Sequence, residues 1–99
     1  MSKRNVEQFS YSVKTYAHLT DCYTREKIEC ASLEEAKERL AEFFKKRVCA
    51  SIYLNGGGHI KSNYPNPYAL SRELSFRADE VWKNGTDKEI QDLISQEKF

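Results

Sequence analysis

Ninety-nine residues, 39% hydrophobic and 31% charged, are enough for one soluble domain with its own core. Sixteen basic against 15 acidic side chains leave a formal net charge of +1, which excludes a disordered charged tail or a globally basic, histone-like protein. No apolar run approaches the roughly 18 residues of a membrane span, and Met1-Ser2-Lys3-Arg4-Asn5 opens no secretory segment, so a cytoplasmic protein is expected.

Residues 1–8 are polar and read as flexible. From Phe9 the chain alternates, with Tyr11, Val13, Thr15 and Ala17 on one side and Ser12, Lys14 and Tyr16 on the other, which predicts a half-buried strand. A polar turn around Thr20-Asp21 leads to a second strand from about Tyr23 to Cys30. The short connection makes the pair an antiparallel hairpin. Ser32-Leu33-Glu34-Glu35 then starts a helix over 33–47. Ser32 caps the first turn while Glu35 reaches back to the cap as a capping box, and Leu33, Ala36, Leu40, Phe43 and Phe44 form one apolar stripe. Glu34, Glu35 and Glu38 crowd its start and Lys45, Lys46 and Arg47 its end, as the helix dipole favours.

Val48–Leu54 alternates again, with Ala50, Ile52 and Leu54 on one face and Cys49, Ser51 and Tyr53 on the other. Asn55-Gly56-Gly57-Gly58 predicts a hairpin tip, because Asn-Gly tolerates positive φ, and His59–Tyr64 is the return strand. Pro65-Asn66-Pro67 stops the strand. Asn66 and Pro67 are then read as the cap and first position of a helix carrying Leu70, Leu74, Ala78, Val81 and Trp82 on one face. Phe76 falls off that face. Gly85 is the expected left-handed terminator, and Thr86-Asp87-Lys88-Glu89 is a capping box for a last helix with Ile90, Leu93 and Ile94 inward. The class is α+β: a small antiparallel four-stranded sheet (β-β-α-β-β), helix 33–47 on one face, and two C-terminal helices on an edge or in the same layer.

The chemistry-bearing residues are few. His18 and His59 are the only histidines, and none of Cys22, Cys30 and Cys49 sits at a helix start that would stabilise a thiolate. The three cysteines read as reduced structural thiols. Short paired zinc spacings are missing, and Gly56-Gly57-Gly58 is followed by a strand rather than the Lys-Ser/Thr and helix of a phosphate loop. No catalytic set, metal site or cofactor is expected.

Charge placement says more than its total. Residues 43–72 hold five basic side chains (Lys45, Lys46, Arg47, Lys61 and Arg72) and no acidic one, while residues 73–99 hold 4 basic against 7 acidic. The basic third also carries Tyr53, His59, Tyr64 and Tyr68, the pairing of cations and planar rings that phosphate contact and base stacking use. Six tyrosines exceed what so small a core can hold, and exposed rings beside basic residues are common interface anchors. The candidate partner- or nucleic-acid-binding residues are therefore Lys45, Lys46, Arg47, Tyr53, His59, Lys61 and Tyr64.

The segment Phe9–Ser62, with its first hairpin, its Ala31-Ser32-Leu33-Glu34-Glu35-Ala36 helix start and its Ala50-Ser51-Ile52-Tyr53-Leu54-Asn55-Gly56 hairpin, resembles small phage-encoded proteins. Among them are anti-CRISPR proteins with a β-β-α-β-β core. The resemblance implies a non-catalytic inhibitor that binds a host protein or ribonucleoprotein defence complex and blocks nucleic-acid access. The alternative is a small nucleic-acid-binding protein using region 43–72.

Overall fold

Both edges of the first strand find a partner, and that decides the topology. The computed structural model describes residues 10–98; segment 1–8 and Phe9 lie outside them. β1 (Tyr11–Tyr16) pairs antiparallel with β2 (Glu26–Cys30) and with β3 (Cys49–Leu54). β3 pairs in turn with β4 (His59–Ser62), giving the order β2-β1-β3-β4. The strands are shorter than their alternation predicts. Asp21 is the reason at the first hairpin: its carboxylate accepts from Tyr23 N–H at 3.0 Å in an Asx turn, and the chain rejoins β1 only where Arg25 N–H donates to Thr15 O at 2.7 Å.

Val13, Ile28 and Ile52 share one sheet face, with Ala50 and Cys30 beside them. α1 (Leu33–Lys45) covers this face, burying Ala36 and Leu40 against Val13, Cys30, Ala50 and Ile52. Each large aliphatic side chain so buried stabilises the layer by about 1.5–3 kcal/mol. Ser32 accepts from Glu35 N–H, as expected, but the Glu35 carboxylate accepts from Ala31 N–H rather than from the cap itself.

The helix ends two residues before the expected 47. Val48 N–H bonds to Phe43 O at 2.8 Å and Arg47 N–H to Phe44 O at 3.0 Å, a Schellman closure with Arg47 at φ 56 in the place glycine usually takes. No glycine marks that stop, so the sequence reads through it.

α2 (Arg72–Asn84) and α3 (Asp87–Ser95) cap the end of the sheet that carries Tyr16 and Cys49 and bury Ala78, Val81, Trp82, Ile90 and Leu93 there, with Phe44 near the end of α1 packed against the same cluster. The expected single helix from Pro67 is broken: a 3-10 turn covers Pro67–Ala69, and Ser71 caps α2 afresh by accepting from Leu74 N–H. Gly85 is not left-handed, at φ −80. The capping box of Thr86 and Glu89 is formed. Asn63, just past β4, ties the layers together: its side chain accepts from Ala50 N–H at 3.0 Å and donates to Leu40 O at 3.3 Å and Val48 O at 3.0 Å.

Candidate binding cleft on the open sheet face

The face opposite α1 is covered only at one end, and the uncovered part is polar. Strand alternation places Ser12, Lys14 and Tyr16 of β1 and Ser51 and Tyr53 of β3 on it, and the register shift at Ile52/Tyr53 sets both His59 and Ser62 of β4 opposite Tyr53 and Ser51. Beyond the edge of the α2–α3 layer a cleft of about 500 Å³ opens, within the size range of small-ligand sites. Ser51, Tyr53, His59 and Ser62 form its floor. The β1–β2 loop from Leu19 to Cys22 forms one wall, and Asn66, Tyr68, Ile94 and Glu97 form the other.

A hydroxyl chain runs along the floor. His59 Nε2 lies 2.8 Å from Ser62 Oγ, which lies 2.7 Å from the buried Ser51 Oγ. Tyr16 and Tyr53 share a hydrogen bond at 3.0 Å between their hydroxyls. Burial, and then the Tyr53 hydroxyl beside it, push the Tyr16 phenol well above its ordinary pKa; burial does the same to Tyr64. Both rings stay neutral donors across the working range of the cell.

Tyr53 has little ring face left to offer. Lys14 Nζ sits 4.5 Å from its centroid, and His59 meets it edge-on at 5.4 Å. Tyr64 is wedged between Tyr16 and Trp82 at 6.3 Å from each. The free ring at the cleft is Tyr68, 80% exposed. Tyr68 belongs to the rings of the basic third but not to the seven candidate residues, although its place just after a proline-rich stop signals a side chain on a turn.

The charges in the cleft are mixed. Asp21 and Glu97 line it together with His59 and Lys61. The two carboxylates are partly satisfied by backbone donors, Asp21 by Tyr23 N–H and Glu97 by Asn66 N–H at 2.7 Å. Among the described residues Lys61 makes no ion pair.

Of the seven candidate residues, Tyr53, His59, Lys61 and Tyr64 come together here. Lys45, Lys46 and Arg47 do not line the cleft. Lys45 and Lys46 stand exposed at the end of α1. Arg47 is turned inward: its guanidinium donates to Phe44 O at 2.8 Å and to Gly85 O at 3.3 Å, and pairs with Asp87 at 2.6 Å.

Cys22 lines the cleft that holds His59, but no hydrogen bond joins them among the described residues. Cys30 and Cys49 are buried; burial and then the nearby Asp79 push the Cys49 thiol up to about 12. The Ser62–His59 contact has the spacing of a nucleophile and base, yet no carboxylate orients the far ring nitrogen among the described residues. Among the same residues no group of three His, Cys, Asp or Glu side chains is placed to hold a metal ion, and no helix is long and apolar enough to cross a membrane.

No protein-family model, curated protein or solved structure matches the chain. Its own geometry is therefore what any functional reading has to rest on.

Proposed function

We propose that this is a non-catalytic binding protein that engages a protein partner through the open sheet face. Tyr53, His59, Lys61 and Tyr64 supply the cleft, and Tyr68 the exposed anchor at its rim. The observation that carries this reading is the cleft's mixed charge: Asp21 and Glu97 stand with Lys61, while Arg47 is used up inside the fold. A phosphate backbone asks for a run of free cations, and polypeptide surfaces, which carry both signs, suit this cleft better. An exposed tyrosine rimmed by polar groups is also a common anchor at protein interfaces.

The finer reading is an inhibitor of the phage type, which binds a host defence or nucleic-acid-handling complex and blocks nucleic-acid access. Its support is the β-β-α-β-β order, together with the acidic α3 and the outward Phe76, 77% exposed on α2. Direct nucleic-acid binding is the second reading, favoured by Tyr68 and Lys61 standing free at one cleft.

The test is affinity purification from the native host cell with the wild type and a Lys61→Glu/Tyr68→Ala double variant. A protein retained through nuclease treatment by the wild type and lost by the variant is the expected result. Capture unaffected by the double variant would remove the cleft. Release by nuclease, with a shift of labelled DNA or RNA at about 50 mM salt that fades as salt rises, would put nucleic acid in the protein's place.

A further inference from the structure

β4 closes the sheet on one side, and its outer edge is flanked by two hollows rather than one. The first is the cleft already described. The second, about 260 Å³, lies on the other side of the strand, with Leu40, Ala41 and Phe44 of α1 facing Gln91 and Ile94 of α3. Lys61, Ser62 and Ile94 border both hollows.

The backbone between the hollows is turned to receive a strand. Asn63 N–H donates inward to Ala50 O at 3.0 Å, and Lys61 stands opposite Ile52. Antiparallel alternation then points the N–H and C=O of the intervening Ser62 outward. A strand laid against this edge would send successive side chains to opposite faces, one into each hollow. The register shift at Ile52/Tyr53 distorts the His59 end of β4, a device that discourages unselected pairing along the edge. The regular part of the edge is therefore the Ser62 end.

Charge selects the visitor. Lys37 and Lys61 are the charged residues of the second hollow, no carboxylate borders it, and neither lysine makes an ion pair among the described residues. The apolar walls from Leu40, Phe44 and Ile94 suit one large hydrophobic side chain.

We propose that an extended, acidic segment of the partner protein adds beside β4, between this edge and α3, seating one apolar side chain in the hollow walled by Leu40, Phe44 and Ile94, with its carboxylates on Lys37 and Lys61. The proposal rests on the protein-partner reading and names the mode of contact: strand addition with a pocket for a chosen side chain.

The test titrates the isotopically labelled full chain with four capped pentapeptides. The first is Glu-Thr-Phe-Thr-Glu. Its counterparts carry Lys for both Glu, or Gly for Phe, or N-methylated threonines. The acidic phenylalanine peptide should shift the amides of Lys61, Ser62, Asn63, Gln91 and Ile94. Each altered peptide, and a Lys37→Glu/Lys61→Glu variant of the protein, should weaken binding by about tenfold or more. Equal binding of the charge-swapped or N-methylated peptide, shifts confined to Tyr68 and the Leu19–Cys22 loop, or no shift at millimolar peptide would overturn strand addition. Those outcomes leave the nuclease-resistant capture by the cleft untouched, so the two claims fail separately.

Discussion

Arg47 and Asp87, forty residues apart in sequence, meet at 2.6 Å and couple the end of α1 to the start of α3. The carboxylate is the lesser part of the anchor, being 71% exposed on its side chain. The Arg47 guanidinium also donates to two backbone carbonyls and lies over the rings of Phe44 at 4.8 Å and Trp82 at 5.7 Å. Arg47→Ala should cost about 2–3 kcal/mol in urea unfolding, and Asp87→Asn less than about 1 kcal/mol. Because Arg47 sits at φ 56, Arg47→Gly should recover about 1 kcal/mol of the alanine loss. Equal stability of the alanine and glycine variants would mean that the left-handed turn carries no cost here.

The same residue shows where sequence reasoning reaches and where it stops. Elements were legible because their signals are local: the alternation of Cys49–Leu54, the stripe of α1 and the box at Thr86 all lie within a few residues of what they specify. Arg47 read as one of three like charges at a helix end, since nothing nearby announces a partner at Asp87. The placement of α2 and α3 was hidden for the same reason, being set by Tyr16 and Cys49 meeting Trp82 and Ile90, and so was the strand order, set by β1 pairing with the distant β3. Half of the cleft was legible, because Tyr53, His59, Lys61 and Tyr64 lie on one hairpin and its exit. The two walls, with Asp21 in one and Tyr68 and Glu97 in the other, come from three distant segments.

Asn63 belongs to that hidden class, reading simply as the last polar residue of a strand. It is 6% exposed and satisfies three backbone groups from α1, β3 and the loop between them. Asn63→Ala strands the Ala50 N–H and Val48 O away from water, while Leu40 O keeps its bond within α1, and should cost about 3 kcal/mol, a fall in Tm of roughly 12 °C. Asn63→Asp should be no better, because it removes both donated bonds and buries a charge. A Tm within about 3 °C of wild type would show that the junction relaxes around the loss.

Acid should act on the last helix through Glu89. Hydrogen bonds from the Thr86 backbone and side chain, in that order of weight, hold its carboxyl below the ordinary value of 4.5. A depressed folded-state pKa contributes stability above the unfolded value and loses it as pH falls through the folded one. The stability difference between wild type and Glu89→Gln should therefore be full near neutrality and shrink below about pH 4.5. Thr86→Ala should raise the Glu89 pKa in an NMR titration; an unchanged value would mean the box does not persist in solution.

Thiol accessibility separates a binding protein from a cysteine enzyme. Cys22 is exposed, while Cys30 and Cys49 are buried and their thiols are raised by desolvation. In folded protein one thiol should react with iodoacetamide at neutral pH, at the rate of an ordinary exposed cysteine, and Cys22→Ser should abolish that fast phase. All three should react in urea. Alkylation of Cys22 far faster than a model thiol would instead indicate activation beside His59 and reopen the question of catalysis.

Gly85 is needed for space rather than for handedness. Its backbone, at φ −80 and ψ 169, is open to any residue, so conformational preference alone makes Gly85→Ala neutral. A Cβ there would stand 2.6 Å from Val81 O and 3.0 Å from Val81 Cγ1, and the oxygen belongs to the helix backbone that the Gly85 N–H itself bonds at 2.8 Å. Relieving that overlap moves either the last turn of α2 or the Gly85 carbonyl that receives Arg47. Gly85→Ala should thus cost about 1–3 kcal/mol, whereas Gly58→Ala, which meets open space at the hairpin tip, should change stability by less than about 0.5 kcal/mol. Pairing Gly85→Ala with Arg47→Ala tests the route of the strain. If it travels through the carbonyl, the double variant should lose less than the sum of the two single losses, because the bond that Arg47 makes to Gly85 can be broken only once.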